Sequence, residues 1–533
     1  MRLWTKLVLA ALAPALLVVP ASAEPAGRAI GDTTCAPVPV SAPAGARIEA
    51  VRAEHRPGGT VTFPQTPLSA PAPITDVPPY CQLTITLTHD GNDHVTVAVA
   101  LPGAGWTGRL QAVGGSAYAA GDFGAPLVQA VKDGYAGVTT DAGVSSNPLD
   151  TSWGLTADGA VNTTLVTNFA TRSVHESAVI GKAVTRAFYG RPVSYSYWNG
   201  CSTGGRQGYA EAQDHPRDFD GVLANAPAVD WTRFAVATLW PQTVMHNDRH
   251  FPSDCVLAGF RRAAIEACDP ADGVTDGIID RPEDCRYDPR TLVGTTLLCT
   301  GGAEVTVTAA DAEVVRKVWA GPTDPRGRSL WAGLPKGADF GWLAGTQVDE
   351  NGVPSAPGFP VATAWVRTFL AKQPSFDTAT ITYERFVELF HQSVREYDEV
   401  IGTSDPDLTG FRWAGGKLLT FVGTADQLIP PGGTLAYRDR VERRMGGADR
   451  VNDFYRLFLA PGVEHCGGGA GPAPTNALGA LVDWVEHGRA PATLPAATAD
   501  GSRTRDLCAY PRVSRYRGYG DPAVASSYRC ALR

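Results

Sequence analysis

The sequence predicts an α/β fold: a mostly parallel sheet flanked by helices and split by one long insertion. Three observations carry this expectation. Strand-like and helix-like segments alternate in two separate blocks. The turn Gly200-Cys201-Ser202-Thr203-Gly204 falls between a strand and a helix. Between the blocks, over 230–403, the chain becomes rich in Trp, Asp, Pro and Gly.

At the start, Met1-Arg2-Leu3-Trp4-Thr5-Lys6 precedes an apolar run over 7–19 and then Pro20-Ala21-Ser22-Ala23. A basic beginning, a short apolar run and small residues at a cleavage point form the pattern of a signal peptide over 1–23, removed after about Ala23. The run is too short to span a bilayer, so a secreted chain with no membrane anchor is expected. The net charge of −8 becomes more negative once Arg2 and Lys6 leave, which argues against a nucleic-acid partner. At 533 residues the chain exceeds one ordinary core. Ten cysteines are an even number, which in an exported chain reads as disulfides. With no C-x-x-C spacing, a thiolate zinc site is not expected. Proximity in sequence pairs Cys35–Cys81, Cys268–Cys285 and Cys508–Cys530.

Residues 94–101 alternate in the manner of a strand. A second strand over 109–113 runs into Gly114-Gly115, and a third covers 134–140. The pattern over 168–188 is helical, with its stop near Tyr189-Gly190-Arg191-Pro192. A strand over 193–198 enters Gly200-Cys201-Ser202, and a helix follows over 206–213. The second block opens with a strand over 417–422 that leads to Gly423-Thr424-Ala425-Asp426. A helix over 434–444, a strand over 454–459 that delivers His465, and a helix over 477–487 complete it. The chain thus divides into a first core part over 24–229, an inserted lid domain over 230–403 and a second core part over 404–533.

Gly-x-Ser-x-Gly between strand and helix has the form of a nucleophile elbow, whose tight turn lifts the Ser202 hydroxyl above the sheet. A serine nucleophile needs a base, and the base needs an orienting carboxylate. His465 lies downstream after a strand, in a Gly-rich loop, and Asp426 follows a strand in the same way. Asp405, Asp407 and Asp141 are the rival carboxylates. The order Ser202, Asp426, His465 is that of an α/β-hydrolase core. Cys201 precedes the nucleophile and Cys466 follows the base, so if Ser202 and His465 meet, these two cysteines meet as well. Cys255–Cys299 is then left by elimination. Backbone N–H groups of Thr203 and of Gly115, in the turn after the second strand, are the expected oxyanion donors.

A separate cluster lies in the insertion, at Cys268-Asp269-Pro270-Ala271-Asp272-Gly273-Val274-Thr275-Asp276-Gly277-Ile278. The carboxylates of Asp269, Asp272 and Asp276, with the carbonyls of Val274 and Ile278, can wrap a hard cation. The spacing is not that of an EF-hand, and a solvated acidic loop is the plain alternative.

Gly200-Cys201-Ser202-Thr203-Gly204-Gly205-Arg206-Gln207, followed by Ala212-Gln213 and Pro216-x-Asp218-Phe219-Asp220-Gly221, resembles the tannase/feruloyl esterase family, which also includes a mono(hydroxyethyl) terephthalate hydrolase. Gly415-Gly416-Lys417-Leu418-Leu419, leading to Asp426, and Pro461-Gly462-Val463-Glu464-His465-Cys466 are similar to its acid and base segments. The likeness runs from about Cys35 to the C-terminus. It implies the triad Ser202, Asp426 and His465, the bond Cys201–Cys466, and a structural Ca2+ in the lid, remote from the ester, at Asp269, Asp272, Val274, Asp276 and Ile278. Two departures stand out: Gly114-Gly115-Ser116-Ala117 replaces a longer glycine run, and no second lid cysteine closely follows Cys299.

The expected activity is that of a secreted serine carboxylic ester hydrolase. Its substrates would be small esters of aromatic acids, feruloyl or galloyl, free or attached to plant polysaccharide or tannin. Trp331, Phe340, Trp342 and Trp365 are the candidate walls of its substrate pocket. The alternatives are a thioesterase, lipase or peptidase on the same triad, or a non-catalytic calcium-dependent binding protein of the envelope. The polar insertion disfavours a lipase, and the presence of all three triad residues disfavours the binding protein.

Overall fold

The computed structural model describes residues 35–65 and 71–533; the leader expected over 1–23 lies outside them. Nine strands form the central sheet. They are β1 (Arg47–Arg56), β2 (Tyr80–Thr88), β3 (Val95–Pro102), β4 (Arg109–Val113), β5 (Ala136–Thr140), β6 (Tyr195–Cys201), β7 (Gly221–Asn225), β8 (Lys417–Gly423) and β9 (Tyr455–Ala460). Their order is β1-β2-β3-β5-β4-β6-β7-β8-β9. Pairing is antiparallel from β1 through β5 and parallel from β5 to β9. Every residue of β5 and β7 is buried, as expected where helices cover both faces of a parallel sheet.

Helices α1 (Ala125–Lys132), α2 (Ser173–Tyr189) and α3 (Thr203–Asp214) connect the first strands. A π-helical turn over Asn168–Arg172 leads into α2, which stops at Gly190 in the left-handed region at φ 72°. The long segment between β7 and β8 is mainly helical, with α4 (Trp231–Ala237), α5 (Trp240–Asp248), α6 (Asp254–Cys268), α7 (Ala309–Ala320) and α8 (Tyr383–Ile401). Its two ends meet where the Trp231 N–H donates to the Gly402 carbonyl at 2.9 Å. Then come α9 (Gly432–Met445) and α10 (Ala477–His487).

Two large apolar cores result. One sits on the sheet around Leu83, Val97, Val138, Trp198, Leu418 and Leu457. The other fills the segment between β7 and β8 around Trp231, Trp240, Phe260, Phe340, Trp365 and Phe386, and it also takes in Tyr118 and Phe169 from the first block. Insertion and sheet are therefore welded rather than merely tethered. Past α10, Tyr510 N donates to Leu457 O at 2.8 Å and Ala509 bridges Phe458, covering the outer edge of β9.

Five disulfides form: Cys35–Cys81, Cys201–Cys466, Cys255–Cys299, Cys268–Cys285 and Cys508–Cys530. Among the described residues no helix is long and apolar enough to cross a membrane.

Candidate active site

β6 delivers Ser202 into a backbone conformation of φ 65°, ψ −122°, sparsely populated for any residue with a Cβ. Only small neighbours permit this turn. A Cβ on Gly200 would lie 2.5 Å from the Gly204 backbone, and one on Gly205 would lie 2.4 Å from the Asn225 carbonyl oxygen. Gly114 is needed from the other side, since its Cβ would come within 2.5 Å of the Gly204 Cα. Thr203 opens α3, so its N–H belongs to the first turn, which a helix leaves without an internal acceptor.

β8 and β9 bring the acid and base to the same end of the sheet. Asp426 is 1% exposed. Its Oδ1 accepts from the N–H groups of Leu428 and Ile429 at 2.9 and 2.8 Å, which leaves Oδ2 to face His465 Nδ1 at 2.9 Å. This arrangement holds the imidazole with Nε2 as the working nitrogen. The Gln427 side chain accepts from the His465 N–H at 3.0 Å, a brace that sequence reasoning passed over although it adjoins Asp426. The acid and base loops touch so closely that a Cβ on Gly423 would lie 2.1 Å from the Val463 carbonyl oxygen. Cys201 and Cys466, joined with their Cα atoms 5.9 Å apart, tie the nucleophile turn to the base loop. Ser202 and His465 face one cavity without a hydrogen bond between them, a contact that in free enzymes commonly tightens only with substrate.

The family profile described as tannase and feruloyl esterase matches residues 81–531. The chain belongs to this family of carboxylic ester hydrolases. It is 46% identical over 507 residues, 93% of each chain, to a probable feruloyl esterase of Arthroderma benhamiae. Among solved structures it resembles the tannin acyl hydrolase of Aspergillus niger with a TM-score of 0.84, at 28% identity over 93% of each chain. It also resembles feruloyl esterase B of Aspergillus oryzae with a TM-score of 0.76, at 26% identity over 92% of this chain and 97% of that one.

In this member of the tannase and feruloyl esterase family the cavity above Ser202 measures about 580 Å³. Its far wall comes from Trp231, Phe234, Phe359 and Val361 of the insertion, and Leu428 and Ile429 close one side. Of the aromatics expected there, Trp342 lines the cavity and is 41% exposed. The other three do not reach it. Phe340 and Trp365 are buried in the insertion core, with Trp365 Nε1 donating to Ser393 Oγ at 2.9 Å. Trp331 packs over Gly433. Their size made core positions as natural as pocket positions. Trp231, the actual wall, stands at the insertion's first helical residue and gave no periodic signal.

Gly115 also needs correction. Its N–H donates to the buried Gln207 Oε1 at 3.1 Å, while Gln207 Nε2 donates to the Ala120 carbonyl at 2.8 Å. A buried amide must be satisfied, and this one takes the expected oxyanion donor. The N–H groups of Gly114, Ser116 and Tyr118 are also engaged within the protein. That leaves Ala117, at φ 45°, as the unengaged donor of this turn among the described residues. The rival carboxylates do other work: Asp141 accepts from the N–H groups of Thr96 and Gly143, Asp405 accepts from the Asp407 N–H, and Asp407 pairs with Arg444. His89 is part-buried, with Nδ1 facing Asp93 and Nε2 facing Glu176.

In the acidic loop, Asp269 accepts from the N–H groups of Asp276 and Gly277, Asp272 from Val274, and Asp276 from Ile278. The carboxylates thus spread over the backbone instead of gathering at one point. Negative charge is nonetheless crowded. Burial pushes Asp280 up to about 7, with Arg505 opposing and Asp272 adding to the rise, and burial raises Asp276 as well, with Asp269 and Asp272 contributing. Arg505 meets part of this charge, at 2.8 Å from Asp280 and 3.5 Å from Asp276. One end of the loop touches the base segment. The Ile278 side chain lies where a Cβ on Gly462 would meet it at 2.9 Å, three residues before His465.

Proposed function

We propose that the protein is an exported serine esterase that cleaves feruloyl, galloyl or related phenolic esters through an acyl-enzyme. The observation that carries this reading is His465, paired with the buried Asp426, facing the same aromatic-walled cavity as the strained Ser202. Ser202 Oγ attacks the ester carbonyl while His465 Nε2 takes its proton. The N–H groups of Thr203 and Ala117 hold the oxyanion. His465 then returns the proton to the departing alcohol oxygen and leaves an acyl-serine. Water, deprotonated by His465, adds to that ester; the free acid departs and Ser202 regains its proton. Asp426 offsets the imidazolium charge and fixes its tautomer.

The segment over 230–403 acts as the lid that shapes the acyl pocket. Ca2+ in the loop of Asp269, Asp272, Val274, Asp276 and Ile278 would hold that loop against the base segment. Five disulfides support an oxidising, extracellular destination. Substrates attached to plant polysaccharide or tannin fit the same chemistry. Hydrolysis of methyl ferulate, methyl gallate and tributyrin tests the reading. It expects at least one phenolic ester to be preferred by about tenfold or more in kcat/KM; faster turnover of tributyrin would favour a lipase instead.

A further inference from the structure

At the end of α3 away from Ser202, residues from three elements converge. His175 of α2, His215 just past α3 and Asp218 before β7 each place a potential ligand atom within 4.8 Å of the others. The two imidazole rings stack at 4.0 Å, and His175 Nδ1 meets Asp218 Oδ2 at 2.5 Å. The ring nitrogens of His215 have no hydrogen-bond partner among the described residues.

A second, independent feature stands behind this cluster. Glu211, one helical turn before His215, is 1% exposed, and neither of its carboxylate oxygens has a hydrogen-bond partner. Its carboxyl lies beside that of Asp218. Asp214 adds negative charge nearby, while Lys182, the neighbouring cation, rests its ammonium on the Asp218 backbone carbonyl. A buried carboxyl group without a geometric hydrogen-bond partner is an unusual arrangement, and a divalent cation held by Asp218 would change what that group faces.

We propose that His175, His215 and Asp218 bind one zinc ion, with the buried Glu211 carboxyl packed behind Asp218. Two imidazoles and one carboxylate, with a fourth position open to water, match the ligand set and number that zinc accepts. Calcium, which prefers six or more oxygens, is disfavoured. α3 has 12 residues, so at 1.5 Å per residue the ion would sit about 18 Å from the nucleophile. Its role would be to clamp α2, α3 and β7 beneath the elbow, and the chemistry would not pass through it.

The test is zinc titration of the chelator-stripped full chain against a chromophoric chelator, together with thermal melts. One zinc per chain is expected in the wild type, in His465→Ala and in Asp272→Ala, with a raised Tm in each. In His215→Ala binding should weaken at least about tenfold and the Tm rise should vanish. His175→Gln provides the same reading should His215→Ala fold poorly. The proposal is overturned by no stoichiometric binding to the wild type, by undiminished binding in His215→Ala, or by loss of binding in His465→Ala alone.

Discussion

The catalytic edge of the sheet and the inserted segment are built by opposite means. At the edge, position is dictated by backbone: a serine at positive φ, glycines that admit no Cβ, two N–H groups on Asp426 and one disulfide. In the insertion it is dictated by packing, with Trp231, Trp365, Phe369 and Tyr397 meeting edge to face or tilted. The difference teaches that chemistry and selectivity are separable here. Changes at the edge should destroy rate on every ester, and changes in the insertion should redistribute preference or stability.

The steepest test of that separation is His465→Ala, which should lower kcat for all esters by on the order of 10⁴ or more while leaving the melting curve unchanged. Asp426→Asn should cost less. Next in size is the double variant Cys201→Ala/Cys466→Ala. Freed from the nucleophile turn, the base loop keeps its bonds to Asp426, Gln427, Thr424 and Ala425 and the Arg261–Glu464 ion pair but loses its covalent tie beside Ser202, and a shift of about 1 Å can cost around 10²-fold in rate. Assays well below its Tm should show that loss, whereas removing Cys508–Cys530, which joins C-terminal strands (Thr504–Cys508 and Tyr528–Leu532), should alter stability alone. Equal kinetic effects from the two pairs would erase the distinction.

A smaller effect, of opposite character, is expected of Trp342→Ala. This residue is exposed and lines the cavity, so kcat/KM should change by about tenfold between a feruloyl and an acetyl ester with Tm unaffected. Smallest in rate is chelation of calcium or Asp272→Ala. Loss of a ligand bound only by the folded state lowers Tm, and because Ile278 abuts Gly462 a modest fall in kcat should accompany it. Metal analysis that finds no calcium in protein purified without chelator would remove this site.

The edge was legible in the sequence because its constraints are local. The strands at 109–113, 417–422 and 454–459 are apolar runs that end in Gly or loop signals, and all reappear as β4, β8 and β9. The Cys201–Cys466 pairing followed from adjacency to the triad. The insertion was hard to read because α4 and α5 are buried over most of their surface; a helix wet on no face carries no 3.6-residue stripe. Gln207 and Gln427 were missed because a polar residue's partner lies far off in sequence or on the backbone, where spacing says nothing. β2 was overlooked although Tyr80–Thr88 alternates in burial almost throughout, a signal that was present.

Methyl ferulate turnover by Ser202→Ala, prepared free of host esterases and compared with the wild type, tests the central claim most directly. The kcat/KM of the variant should fall by on the order of 10⁴ or more in a protein that melts like the wild type. Turnover within about tenfold of the wild type, in a correctly folded variant, would contradict Ser202 as nucleophile and the acyl-enzyme with it.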